Sequence, residues 1–530
     1  MTDSSDGRSR LPEAVRALLD PSAYPETPAS VRLVQTQISF VLIAGDYVYK
    51  IKKPVNLGFL DYSTLANRRQ LSEREVELNR RLCPRTYLGV VPLVKAHGKV
   101  SIGGRGRVVE YAVKMKRLPE ERMMSALLAS DSLTFEMTAA VARRLADFHG
   151  RAETGPAVNE FGGTATIQGN AEENFDQTER SIGRTISKAK YERIRDYTRS
   201  FLQDKAALFR KRIADGRIRD CHGDLHAAHV CFTDGICIFD CIEFNDRFRY
   251  GDVAGEVAFL AMDLDHYGRA DLARSFVNEY VASSGDRDLP VLLKFYKCYR
   301  AYVRGKVESF KLDDQYISVE DKEAARQAAS GYFDLASFYI RPKPTLFMTV
   351  GVTGTGKSWL SSALARRLGL TVISSDIVRK ELAGIAPAEH RYEEPDKGIY
   401  SADFTRRTYD TMFQRARDAL KEGVSVVLDA TFVRRADREK AMALAEETGA
   451  DFLAIECVLE EKVLREWLAR RMNTTTASDG RLEILGPQQA QFEPPVEIDD
   501  SRKITIDTAR PLDESVRAIM AKIGEDGEGA

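Results

Sequence analysis

Residues 350–358 read VGVTGTGKS, and the apolar run TLFMTV at 345–350 leads directly into them. The run reads as a buried strand, and WLSSALARRL at 359–368 follows with helical periodicity. Strand, glycine loop and helix in that order are the setting a phosphate-binding P-loop requires. Glycines allow backbone N–H groups to turn inward around phosphate oxygens, so Gly351, Gly354, Thr355 and Gly356 are expected to cradle them. Lys357 is expected at the β/γ-phosphates, Ser358 on Mg²⁺, and the helix N-terminus adds partial positive charge. This stretch makes residues 345–530 a nucleoside triphosphate-binding domain.

Working outward from the loop, strands are expected at 345–350, 371–374, 424–428 and 452–458, alternating with helices at 357–368, 376–383, 401–421 and 436–447. Such alternation predicts an α/β domain with a mostly parallel sheet and ligands at the C-terminal strand ends. Asp429 then has the position of a Walker B aspartate that orders Mg²⁺. Ala430 stands where many ATP-hydrolysing machines carry a water-activating glutamate, which favours transfer to an acceptor. Asp376 has two readings: a base that binds and deprotonates an acceptor hydroxyl, or the N-cap of the helix it precedes. The helix EKVLREWLARRM at 461–472 carries Arg465, Arg470 and Arg471 and runs into NTTTASDG. It reads as a lid whose arginines neutralise a transferring phosphoryl, or as a surface helix.

A chain of 530 residues implies two to four domains. With 78 basic and 79 acidic residues, no general attraction to nucleic acid is implied. No apolar run approaches the roughly 18 residues of a membrane span, and MTDSSDGRSR lacks a signal-peptide core. Seven cysteines without scaffold spacing point to a reduced, cytoplasmic protein.

Toward the N-terminus, residues 1–30 read as a polar tail, 31–118 as strands around one helix, and 119–337 as a largely helical region. Residues 338–344, with RPKP inside them, read as a stiff linker and the best domain boundary. In the hairpin FVLIAGDYVYKIK, Lys50 and Lys52 share one strand face, and the helix at 63–82 carries Glu73, Glu75 and Glu77. The second chemical region is DCHGDLHAAHVCFTDGICIFDCIEFNDRFRYGD, with short strands expected at 230–232 and 236–239. The basic run at 205–219 reads as a solvated helix face, with a nucleic-acid contact as the other option.

His222-Gly223-Asp224, His229 and Asp240 resemble the catalytic core of aminoglycoside and choline/homoserine-type phosphotransferases, a protein-kinase-like bilobal α+β fold. The resemblance implies Asp224 as the aspartate that orients an acceptor hydroxyl and Asp240 as the metal-binding aspartate. It implies Lys50, or Lys52 on the same face, at the α/β-phosphates and paired with Glu75. Where that family carries a metal-holding asparagine, this chain has His229, and imidazole suits hard Mg²⁺ poorly. The C-terminal part resembles small P-loop kinases of the gluconate kinase, polynucleotide kinase and zeta-toxin type over about 344–500. That likeness implies the acceptor role for Asp376 and the lid role for Arg465 to Arg471. As a whole, the chain resembles bacterial fusions of the two, often labelled AAA-family ATPases.

His and Cys density around 221–241 raises zinc as a further option, although Cys231 and Cys237 fall in apolar strands where a thiol acts as a small core residue. His149 and His222 read as bracing residues. Glu243, Asp246, Arg249 and Asp252 either close an acceptor pocket or form ion pairs. Together these readings predict a bifunctional, ATP- (or other NTP-) and Mg²⁺-dependent phosphotransferase acting on a small hydroxyl-bearing substrate. The alternatives are a nucleotide-binding regulatory protein with a degenerate front domain, and a polynucleotide 5′-end kinase.

Overall fold

The computed structural model describes residues 11–233, 235–314, 318–385, 398–471 and 482–523. The chain divides into two compact units. One comprises Met1–Ile167, Asp204–Leu260 and Ser275–Leu292; the other comprises Gln168–Gln203, Ala261–Arg274 and Leu293–Ala530.

The first unit carries a six-stranded antiparallel sheet in the order β1-β2-β3-β6-β4-β5. Its strands are β1 (Val31–Gln35), β2 (Ser39–Ala44), β3 (Tyr47–Lys52), β4 (Tyr87–Ala96), β5 (Lys99–Ile102) and β6 (Arg107–Lys116). Gly45, at φ +61°, closes the expected hairpin and sets Ala44 opposite Tyr47. That register turns Leu42, Tyr49 and Ile51 into the core and leaves Lys50 and Lys52 for the other face. Of the segment expected as a tail, residues 1–10 lie outside the described residues, and the rest joins this core: Val15, Leu18, Ala23 and Tyr24 are buried against the sheet. Its composition is polar, but four apolar side chains suffice to anchor it. Helix Leu65–Arg80, capped by Thr64 on the Asn67 N–H, packs Val76 with Tyr87 and Val113. Two small antiparallel ribbons complete the scaffold: β7 (Ile218–Asp220) with β10 (Tyr250–Asp252), and β8 (Val230–Thr233) with β9 (Gly235–Ile238).

In the second unit a five-stranded sheet runs in the order β12-β13-β11-β14-β15, with every pairing parallel. Its strands are β11 (Thr345–Val350), β12 (Thr371–Ser374), β13 (Val426–Asp429), β14 (Asp451–Val458) and β15 (Lys503–Asp507). The fully buried β11 sends Leu346, Met348 and Val350 into one core and Phe347 into the other. β15 and helix Leu512–Lys522 extend the sequence expectation; five residues reading KITID are too short and too polar to stand out as a strand.

The division of the chain does not run at 338–344. Helix Val319–Tyr339 ends with Phe338 buried among Phe347, Leu360 and Leu364, and Asp334 bridges Lys190 and Arg367 at 2.5 Å each. The prolines mark only the short turn from helix to β11, because the helix before them shares its core with the sheet. The architecture is thus a kinase-like bilobal α+β fold followed by an α/β P-loop fold.

Candidate functional site

In the first unit, Lys50 Nζ lies 2.9 Å from Glu75 Oε1 and 2.5 Å from Asp240 Oδ1. Lys52 Nζ lies 2.7 Å from the other Glu75 oxygen and also pairs with Glu243. Tyr62 donates its hydroxyl to the same Glu243 oxygen at 2.5 Å. Glu75 therefore takes one lysine on each oxygen, and the two lysines separate. Lys52 is 1% exposed inside a closed cage, whereas Lys50 reaches Asp240, whose side chain is 40% exposed. Burial alone would lower the Lys50 pKa and raise those of Glu75 and Asp240. The facing charges outweigh it, holding Lys50 well above and both carboxyls below their ordinary values.

The loop at 221–229 is held by a buried carboxylate that no motif announced. Glu256 accepts the backbone N–H of His222 at 2.8 Å and of Gly223 at 2.7 Å. It also pairs with His149 Nε2 at 2.8 Å, and His149 Nδ1 meets the Tyr280 hydroxyl at 2.8 Å. Burial would raise the Glu256 pKa, but these bonds pull it down to about 2. Gly223 sits at φ +89°, and a Cβ there would lie 2.8 Å from the Phe248 carbonyl oxygen, so only glycine fits. His222 donates Nε2–H to the Phe239 carbonyl at 2.9 Å, tying the loop to the strand end that carries Asp240. Asp240 itself adopts φ +62°, held by its N–H on the Tyr87 hydroxyl at 3.1 Å.

His229 Nδ1 lies 2.9 Å from the Asp224 backbone carbonyl. A carbonyl only accepts, so Nδ1 carries the proton and Nε2 presents a lone pair, 3.6 Å from Asp240 Oδ2. Burial first, then the His226 ring beside it, pushes the His229 pKa down to about 4. His226 has its ring centroid 3.9 Å from that of His229 and its Nε2 3.7 Å from Asp224 Oδ2.

Several expectations change here. Cys83 and Cys237 form a disulfide, which corrects the reading of Cys237 as a free core thiol. Separated by 154 residues, the pair has no sequence spacing to betray it; packing beside Tyr87 and Val113 brings the two Cα atoms to 4.6 Å. The charged stretch resolves into ion pairs: Glu243 with Lys52, Asp246 with Arg74 and Arg249, and Asp252 with Arg212. Arg212, expected on a solvated face, is 1% exposed between Asp252 and Asp286. Its neighbour Lys211 pairs with Asp215 and Asp288, so internal carboxylates hold the centre of the basic run.

In the second unit, a cavity of about 1540 Å³ is lined by Lys357, Ser358, Asp376, Arg379, Asp429 and Thr431, among others. Lys357 Nζ rests on the Val352 carbonyl oxygen at 2.7 Å. Asp429, at the end of β13, is raised above the usual carboxylate range by burial, opposed by a hydrogen bond from Ser358 and by the Lys357 charge. Gly354 is at φ +83°, and a Cβ would meet Leu464 Cδ1 at 2.7 Å, because helix Glu461–Arg471 lies directly on the loop. Arg379 donates to the Ile399 carbonyl and, at 3.1 Å, to Thr405, with Tyr400 under its guanidinium, and so braces one wall. Asp376 is the second residue of helix Ser375–Leu382, whose N-cap is Ser374, so the N-cap reading of Asp376 falls away. Arg465 pairs with Glu461 at 2.7 Å on an exposed face, while Trp467 and Leu468 of that helix line the cavity. The side chains of Arg470 and Arg471 and the NTTTASDG segment lie outside the described residues.

Comparison with known proteins gives these two sites a setting. Residues 44–293 match the phosphotransferase enzyme family, and 346–495 match an AAA domain. The protein described as uncharacterized protein Rv2004c of Mycobacterium tuberculosis is 32% identical over 496 residues, covering 93% of this chain and 96% of that one. The chain belongs to its family. Among solved structures, a choline/ethanolamine kinase family protein from Mesorhizobium loti is 13% identical, covers 64% of this chain and 95% of its own, and has a TM-score of 0.37. A gluconokinase from Sinorhizobium meliloti is 23% identical, covers 35% and 94%, and has a TM-score of 0.25. The phosphotransferase match supports ATP-dependent phosphoryl transfer in general, and kinase homology implies a nucleotide and Mg²⁺.

The donor sets differ in their fit to Mg²⁺. Ser358 and Asp429 offer a hydroxyl and a carboxylate facing one cavity, which fits an oxygen-seeking ion. In the first unit Asp240 Oδ2 faces an imidazole nitrogen, a set that does not fit Mg²⁺ well. No helix among the described residues is long and apolar enough to cross a membrane.

Proposed function

We propose that the chain is a bifunctional phosphotransferase that moves the γ-phosphoryl of ATP to a hydroxyl of a small acceptor, with the P-loop site as its principal centre. The observation that carries this reading is the convergence of Lys357, Ser358, Asp429 and Asp376 on a single cavity. Its volume of about 1540 Å³ exceeds the roughly 300–1,000 Å³ of a typical ligand pocket, which leaves room for a nucleotide beside an acceptor. In the proposed step, the acceptor hydroxyl oxygen bonds the γ-phosphorus while the bond from phosphorus to the β-bridging oxygen breaks. The hydroxyl proton passes to Asp376 and ADP leaves. Lys357 and the loop N–H groups would hold the phosphates, and Ser358 and Asp429 would hold Mg²⁺, which would supply charge neutralisation there.

For the first unit, the reading rests on Lys50 held between Glu75 and Asp240, with Asp224 on the adjoining loop. Lys50 would meet the phosphates and Asp224 the acceptor. The polynucleotide 5′-end reading loses support, since Lys211 and Arg212 are engaged by internal carboxylates. The test is transfer of label from γ-labelled ATP across a panel of sugar acids, sugars and amino alcohols, run on wild type, Lys357→Ala and Asp224→Ala. Each labelled product should vanish in one variant and persist in the other. Products unaffected by either substitution would overturn the assignment. Products lost only with Lys357→Ala would make the first unit a regulatory nucleotide-binding module.

A further inference from the structure

We propose that the site in the first unit holds a divalent cation of borderline softness, of the Co²⁺ or Zn²⁺ class, between His229 Nε2 and Asp240 Oδ2. This rests on reading Asp240 as the cation-holding carboxylate, and it departs from the Mg²⁺ that the phosphotransferase resemblance implies. The first support is the pairing of two acceptors. His229 spends its proton on the Asp224 carbonyl at 2.9 Å, so a lone pair and a carboxylate oxygen face each other across 3.6 Å. That separation is beyond a hydrogen bond. It is close to the roughly 3.4 Å that tetrahedral geometry sets between two ligands each about 2.1 Å from one ion.

A second support is how Asp240 is divided. Its Oδ1 takes Lys50 at 2.5 Å, while its Oδ2 faces His229, so the carboxylate can bridge the phosphate-binding cation and a metal. Third, the neighbours extend the donor set: ligand atoms of Asp224, His226 and His229 all lie within 4.8 Å of one another. The imidazoles are nearly buried and therefore positioned, whereas the Asp224 and Asp240 side chains are 35% and 40% exposed and leave a route for the ion. An imidazole nitrogen in the set favours the later first-row divalent ions over Mg²⁺, which seeks oxygen and sheds water reluctantly.

The test uses the full chain without nucleotide, carrying Asp429→Asn to weaken ion binding at the P-loop site. Co²⁺ binding is followed by its visible absorption, and Mg²⁺ is titrated as competitor. Co²⁺ should bind at least about tenfold more tightly than Mg²⁺, and His229→Asn should reduce that ratio by about tenfold or more. Asp240→Asn should remove both ions. On the protein with His229 intact, Mn²⁺ spin-echo spectra should show coupling to an imidazole nitrogen, a readout that needs no folded His229 variant. Equal affinity for the two ions, an unchanged ratio in a folded His229→Asn variant, or no nitrogen coupling would each overturn the proposal. Because none of these measurements requires turnover, their failure is separable from a failure of the phosphotransfer reading: a Mg²⁺-selective site with label transfer intact sinks only this inference.

Discussion

The two candidate centres place their lysines in different settings. In the first unit Lys50 and Lys52 are bound to protein carboxylates: Glu75 holds both, Asp240 takes one and Glu243 the other. In the second unit Lys357 rests on a backbone carbonyl beside a wide cavity. A lysine facing carboxylates is neutralised before any phosphate arrives, so phosphate must compete with or share its partners. The comparison teaches that lysines can be positioned by a buried charge network in one fold and beside a glycine loop in the other. The network costs desolvation and is stabilised only while complete; the loop relies on backbone geometry.

The sharpest way to break this comparison is at the acceptor side of the cavity. Asp376→Asn should reduce label transfer at the P-loop centre by roughly 10²–10⁴-fold in kcat with nucleotide affinity nearly unchanged. A loss confined to nucleotide binding would show Asp376 to be a structural residue. Next in size is the network itself. Lys52→Met leaves Glu75 and Glu243 buried around one fewer cation and should cost about 3–5 kcal/mol in denaturant unfolding of the first unit. Lys50→Met should cost less, because Asp240 is 40% exposed and can be hydrated. Equal costs would mean that the closed and open halves of the network do not differ.

A smaller effect concerns pH. The Glu256 carboxyl falls from 4.5 to about 2 on folding, so its contribution is fully present above pH 4.5 and is lost as pH drops toward 2. The whole window amounts to about 3 kcal/mol. Glu256→Gln should flatten the fall of the thermal midpoint between pH 5 and 3, and an unchanged slope would place the acid sensitivity elsewhere. The smallest expected effect is at Arg465, which is half exposed and paired with Glu461. Arg465→Ala should leave kcat within about twofold and cost at most about 0.5 kcal/mol. A large loss of kcat would restore the lid role that the sequence suggested.

Much of both sites was legible before the fold. The P-loop was readable because glycines and lysine act through backbone geometry within one stretch of nine residues. The kinase-like loop was readable through His222-Gly223-Asp224 and Asp240. Other parts were not legible. Glu256 lies 33 residues from Gly223 and belongs to no motif, yet it holds the loop by two backbone N–H groups. Arg465 stands on the exposed face of its helix, because Leu464 and Leu468 take the face against Gly354.

By itself, the sequence determined the two fold classes, the glycine loop between strand and helix and the residue types that can meet phosphate, because local periodicity and short-range backbone chemistry are written along the chain. Only the tertiary structure decided which lysine stands open, what steadies the loop at 221–229, how Cys83 meets Cys237, and that His229 turns a lone pair toward Asp240. Each of these depends on groups far apart in sequence and on which side of each group is buried, and no spacing rule encodes that.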